Sequence, residues 1–125
     1  MKSAEPLQTL EVTLREEWRA WLAEHHDREA AIWLVFWKKH TGRPCVPYQD
    51  AVDEALCFGW IDTLVRRLDD DRYAQKFMPR KPKSNWTEAN RGIFARLVRE
   101  GRMTPAGLAK EPPEPGHGSA TADSE

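Results

Sequence analysis

The segment ALCFGWID, Ala55 to Asp62, decides how this chain is read, because a helical spacing of apolar residues gives way within it to β-type alternation. Upstream, Val52, Ala55, Leu56 and Gly59 fall on one stripe of a helix beginning near Tyr48, while Asp50, Asp53 and Glu54 fall toward its edges or outside. Downstream, the β-branched residues from Ile61 and the turn-like run Leu68 to Arg72 predict a hairpin, with strands near 61–68 and 72–78. Pro79 and Pro82 end it.

Working outward, Ala31 to Lys38 is apolar on both alternations: Ile32, Leu34 and Phe36 on one, Trp33, Val35 and Trp37 on the other. That pattern predicts a strand covered on both faces. Thr41 and Gly42 supply a turn, and Pro44 and Pro47 keep the chain extended before the next helix. On the N-terminal side, Thr13 to Glu16 reads as a capping box opening a helix over 14–26, with Leu14, Trp18, Trp21, Leu22 and His25 on its inner face. On the C-terminal side, Trp86, Ala89, Ile93, Phe94, Leu97 and Val98 mark a helix over 86–100 that Gly101 ends. Thr104 and Pro105 start a further short helix.

The expected fold is therefore α+β: one small domain over 13–110, a three-stranded or slightly larger, mainly antiparallel sheet, and helices packed mainly on one face. Residues 1–12 read as an N-terminal extension and 111–125 as a disordered tail without core-forming residues.

Composition bounds the function. A chain of 125 residues with 40% apolar content can build one core. Nineteen basic and twenty acidic side chains leave a net charge of -1, so no global field draws the chain to nucleic acid or an anionic membrane. The longest apolar run, Ala30 to Trp37, is far short of the ~20 residues that span a bilayer, which argues against membrane insertion. Two cysteines and the lack of a basic-then-apolar leader fit a reducing cytoplasm. His25, His26, His40, His117, Cys45 and Cys57 form no close ligand pair, so no metal is expected. Without a glycine-rich phosphate loop or a Gly-x-Ser-x-Gly elbow, no cofactor is expected and neither nucleotide nor serine hydrolysis is supported.

The residues that could carry chemistry cluster around the opening segment. Cys57 lies near the C-terminal end of its helix with Asp53 and Glu54 close by, a setting that disfavours a thiolate and favours a small buried residue. Glu54 and Asp62 flank the corner, either as an acid/base pair or as anchors for nearby cations. From 72 to 83 the chain carries Arg72, Lys76, Arg80, Lys81 and Lys83 with no acid, interleaved with Tyr73 and Phe77 and followed by Trp86. Cations with rings suit a phosphate backbone or nucleotide, and equally a solvated hairpin edge. Asn90 sits on an otherwise apolar stripe, so its amide braces the preceding loop or faces a ligand.

The segments WRAWLAEHH (18–26), AIWLVFWKK (31–39), YQDAVDEALCFGWID (48–62), FMPRKPKSNWTEAN (77–90) and GRMTPAGL (101–108) together resemble the YdeI/OmpD-associated, or bacteriocin-protection, family over roughly residues 14–108. Met78 stands where that family usually has threonine, which removes a hydroxyl donor. The resemblance implies a role in bacterial envelope stress or protection from antimicrobial peptides, and no established reaction. The leading expectation is thus a cytoplasmic, non-enzymatic binding protein for a small anionic or aromatic ligand, held by Glu54, Trp60, Asp62, Arg80, Lys81, Ser84, Trp86 and Asn90. Two alternatives stand beside it: a weak nucleic-acid-binding module using the loop 72–83, and an enzyme using Glu54 or Asp62 as acid/base.

Overall fold

The computed structural model describes residues 8–81 and 85–113. Its elements in chain order are β1 (Thr9–Leu10), α1 (Arg15–His25), β2 (Ile32–Trp37), α2 (Tyr48–Cys57), β3 (Trp60–Arg67), β4 (Arg72–Pro79), α3 (Glu88–Arg99) and α4 (Pro105–Leu108). They form an α+β domain around one four-stranded mixed sheet of order β1-β2-β4-β3. β4 runs antiparallel to both β2 and β3, and β1 adds to β2 in parallel. The expected N-terminal extension therefore contributes an edge strand, too short to carry a periodicity of its own. The expected tail lies outside the described residues from 114 onward.

Register explains how the sheet divides its side chains. Ile32, Leu34 and Phe36 stand opposite Phe77, Gln75 and Tyr73, and residues directly opposite share a face. This face meets the helices: Trp18, Leu22, Ala51, Ala55, Leu56, Phe94 and Leu97 join Ile32, Leu34, Phe36 and Phe77 in one buried cluster. Trp18 packs against Phe77 at 5.2 Å between ring centroids and donates its indole N–H to the Ala51 carbonyl, tying α1 to both sheet and α2. Gln75, almost fully buried, sends its amide to the Leu64 carbonyl where the β3–β4 register slips between Asp62 and Val65.

The other face carries Trp33, Val35 and Trp37, and side chains rather than helices supply the cover that the apolar pattern of β2 predicts. Arg66 and Lys76 each lie 5.8 Å from the Trp33 ring, while Arg43 and Arg72 lie 4.0 and 5.5 Å from that of Trp37. Long cationic side chains lay their stems on apolar surface and keep their charges in water, so they substitute for helices.

Two local expectations shift. Leu14, not Thr13, is the N-cap of α1, and Glu17 rather than Glu16 reaches back: its carboxylate accepts the backbone N–H groups of Thr13 at 2.9 Å and Leu14 at 3.0 Å. On α3, Phe94 and Leu97 are buried as expected, whereas Ala89 and Val98 face outward. Thr87 and Thr104 cap α3 and α4 through their hydroxyls.

Candidate functional site

The opening segment is first of all a corner. α2 ends at Cys57, and Gly59 takes the left-handed conformation at φ 77° that lets the chain reverse into β3. The Cys57 carbonyl then accepts both the backbone N–H of Thr104 at 3.1 Å and its hydroxyl at 2.6 Å. α4 can approach this closely because residue 107 is glycine; a Cβ there would sit 2.3 Å from the Cys57 carbonyl oxygen. From the corner, the Gly59 carbonyl receives the N–H of Arg80 at 2.8 Å, and Lys110 closes on the Arg80 carbonyl at 2.6 Å. The end of the hairpin is thus fixed to the helix terminus.

This clamp gathers four of the residues singled out from sequence. Trp60, Asp62, Arg80 and Asn90 line one half-open cleft with Val52, Leu56 and Ile61, about 210 Å³ including its mouth. Arg80 is only 4% exposed. Its guanidinium lies 3.8 Å from the centre of the Trp86 ring and donates through Nη1 to the Asn85 carbonyl at 3.1 Å. Its buried Nε has no hydrogen-bond partner among the described residues, an arrangement that costs free energy unless something fills it. Burial draws the Arg80 pKa down, and the nearby Asp62 carboxylate opposes that pull.

Asp62 is oriented from the other side by the Tyr48 hydroxyl, which donates to Oδ2. Burial first, and then this carboxylate, push the Tyr48 phenol above its ordinary range, so it remains a donor at neutral pH. Asn90 is half-buried on the cleft wall; its backbone N–H bonds the Thr87 hydroxyl at 3.1 Å, and no described residue bonds its amide. Residues 82–84 of the loop it was expected to brace lie outside the described residues. Together the cleft offers guanidinium and amide groups, the Asp62 carboxylate and an apolar wall. Trp60 contributes ring surface only, since its indole N–H donates to the His26 carbonyl at 3.3 Å. Trp86 backs Arg80 rather than lining the cleft.

The other expected site residues go elsewhere. Glu54 is fully buried, contrary to its expected place at the helix edge or outside. It accepts Arg15 Nε, Arg19 Nη1 at 2.7 Å and Arg102 Nη2 at 2.5 Å. Burial is the largest influence and raises its pKa, but the hydrogen bonds from Arg15, Arg19 and Arg102 together overcome it and leave the carboxyl below its ordinary value. Such a carboxylate is saturated with donors and poorly suited to take a proton, and its partners come from α1 and from residue 102, not from the basic loop. Asp53, also expected outside, is buried against Arg96 at 2.8 Å. Cys57 is fully buried, and burial followed by the Glu54 charge raises its pKa, as suits a packing residue.

The basic segment is not one patch. Arg72 and Lys76 project on the sheet face away from the helices, whereas Arg80 turns into the cleft. Lys81 lines a neighbouring hollow with Ile61, Thr63, Met78 and Pro79. Ser84, like Lys83, lies outside the described residues. The side chain that sequence reading missed is Tyr48, although its spacing to Val52 and Leu56, one helical turn each, placed all three on the stripe that faces the cleft.

Among the described residues no group of three His, Cys, Asp or Glu side chains is placed to hold a metal ion, and no helix is long and apolar enough to cross a membrane. Neither a curated protein nor a solved structure matches the chain. One family does, over residues 10–110, which takes in β1 at its second residue, the corner, the cleft and α4. The chain belongs to this family, described as a domain of unknown function (DUF8412).

Proposed function

We propose that the protein is a non-enzymatic binding protein whose cleft receives the anionic end of a small molecule, with a carboxylate as the preferred group. The observation that carries this reading is Arg80: a nearly buried guanidinium 3.8 Å from the Trp86 ring, lining a cleft with Asn90, whose buried Nε has no hydrogen-bond partner among the described residues. A charge-assisted hydrogen bond to this group gains strength from the dry surroundings and from the fixed orientation of the guanidinium. Size narrows the ligand. The cleft is shallow and its lining largely buried, so it suits contact with the tip of an anionic group whose remainder stays outside. The resemblance to YdeI/OmpD-associated proteins would place such binding in the cytoplasmic response to envelope stress or antimicrobial peptides.

The test is a thermal-shift series with acetate, lactate, benzoate and inorganic phosphate on the native protein and on Arg80→Met. A carboxylate at about 100 times its dissociation constant should add about 2.7 kcal/mol of stability to the native protein. Arg80→Met should abolish the response. No shift with any of the four, or an equal shift in the variant, would remove the reading.

A further inference from the structure

The sheet face turned away from the helices has a composition that the cleft does not explain. Along β2 it presents Trp33 and Trp37, about 13 Å apart at the rise of a strand, with buried Val35 and Ala74 between them. None of Trp33, Val35 and Trp37 belongs to the main core cluster or packs against it. Arg66 and Lys76 flank Trp33; Arg43 and Arg72 flank Trp37. Among the described residues, Glu11 accepts the Trp37 indole N–H at 2.8 Å and Asp69 pairs with Arg72 at 3.0 Å, next to the acidic Asp70 and Asp71 of the turn. Arg43, Arg66 and Lys76 are in no ion pair among the described residues, which leaves this face positive in a chain whose net charge is -1.

We propose that this face is a docking surface for single-stranded nucleic acid. The backbone phosphates would pair with Arg43, Arg66 and Lys76, and bases would stack on the indoles and on the guanidinium planes beside them. Charge complementarity selects a polyanion, and the paired indoles select one with flat rings over an acidic peptide or a lipid headgroup. At ~3.4 Å per stacked base the distance between the tryptophans corresponds to about four nucleotides. The contact is sequence-tolerant, because a stacking ring and a cation read no base edge. This surface is separate from the cleft, so the two proposals stand or fall independently.

The experiment is a fluorescence-anisotropy titration of a labelled twelve-nucleotide thymidine oligomer, with intrinsic tryptophan emission followed in parallel. Three neutralised phosphates give a slope of about -2.1 in log affinity against log salt, so raising salt from 50 to 200 mM should weaken binding roughly 20-fold. Removing two contacts with Arg66→Gln plus Lys76→Gln should reduce that salt effect to about 3-fold and weaken binding at 50 mM. Arg43→Gln, at an exposed loop position, provides a second variant and should remove one contact. Tryptophan emission should be quenched on binding. Absence of binding at high micromolar protein overturns the proposal, as does binding unchanged in both variants. Equal affinity for polyglutamate or for anionic lipid vesicles, without quenching, also overturns it and makes the face a general anion surface.

Discussion

Replacing Glu54 by glutamine tests what joins α1 to α2. The carboxylate is 0% exposed and receives donors from three arginines that are themselves 24%, 31% and 36% exposed. Glutamine preserves volume but removes the charge, keeps a single acceptor oxygen and turns an NH₂ donor toward the guanidinium groups. Breaking a fully buried ion pair by removing one partner costs about 3–5 kcal/mol. Here the stranded charges can recover part of their hydration, so a loss of about 2–3 kcal/mol is expected. With a urea m-value of about 1.5 kcal/mol/M for a domain of this size, the midpoint should fall by about 1.3–2 M. Urea unfolding followed by tryptophan fluorescence measures this directly, with an unchanged slope showing that the native state itself was weakened. A midpoint within 0.3 M of the native protein's, a margin of about 0.5 kcal/mol at this slope, would refute the argument. It would mean that the desolvation cost of Glu54 cancels its three hydrogen bonds.

The same residue sets an acid dependence. Its folded pKa is depressed, so its contribution is full above the unfolded value of about 4.3 and is lost as pH falls through the lower folded value. The native protein should therefore lose stability more steeply than Glu54→Gln below about pH 4.5 in parallel thermal melts, and identical slopes would count against the shift. Gly107→Ala should destabilise by about 1–3 kcal/mol, because its Cβ would meet the Cys57 carbonyl oxygen at 2.3 Å and push α4 from the corner. Equal chemical stability of the two proteins would show that α4 shifts freely. Cys57, fully buried with a raised pKa, should alkylate slowly in native protein at pH 7 and rapidly in urea, while half-buried Cys45 reacts earlier. Mass mapping of the first labelled cysteine decides the order.

Much of the fold was legible because its signals are local. The apolar run of β2, the stripe of α2, the hairpin around Asp69 to Asp71 and the threonine caps of α3 and α4 depend on neighbours within a turn or a strand. The corner at ALCFGWID was legible for the same reason, and with it the convergence of Trp60 and Asp62. The two-residue strand β1 was not, since its pairing comes from β2 rather than from any preference of Thr9 and Leu10.

The positions of the charges needed the tertiary structure. Glu54 and Asp53 occupy helix positions that read as peripheral, and only arginines 35 to 48 residues away in sequence make their burial affordable. The basic segment 72–83 looks like one cationic loop when written as a line. Strand alternation puts Arg72 and Lys76 together on one side of the sheet, whereas Arg80 lies past the end of β4 at Pro79, escapes that alternation and turns into the cleft against Trp86. Sequence by itself thus determined the elements and the chemistry available, because backbone preference and hydrophobic period act over short range. Which charges are sealed in pairs, which buried guanidinium nitrogens are left without a partner among the described residues, and which tryptophans face away from the core were decided by packing, since desolvation and ion pairing depend on groups that only the folded chain brings together.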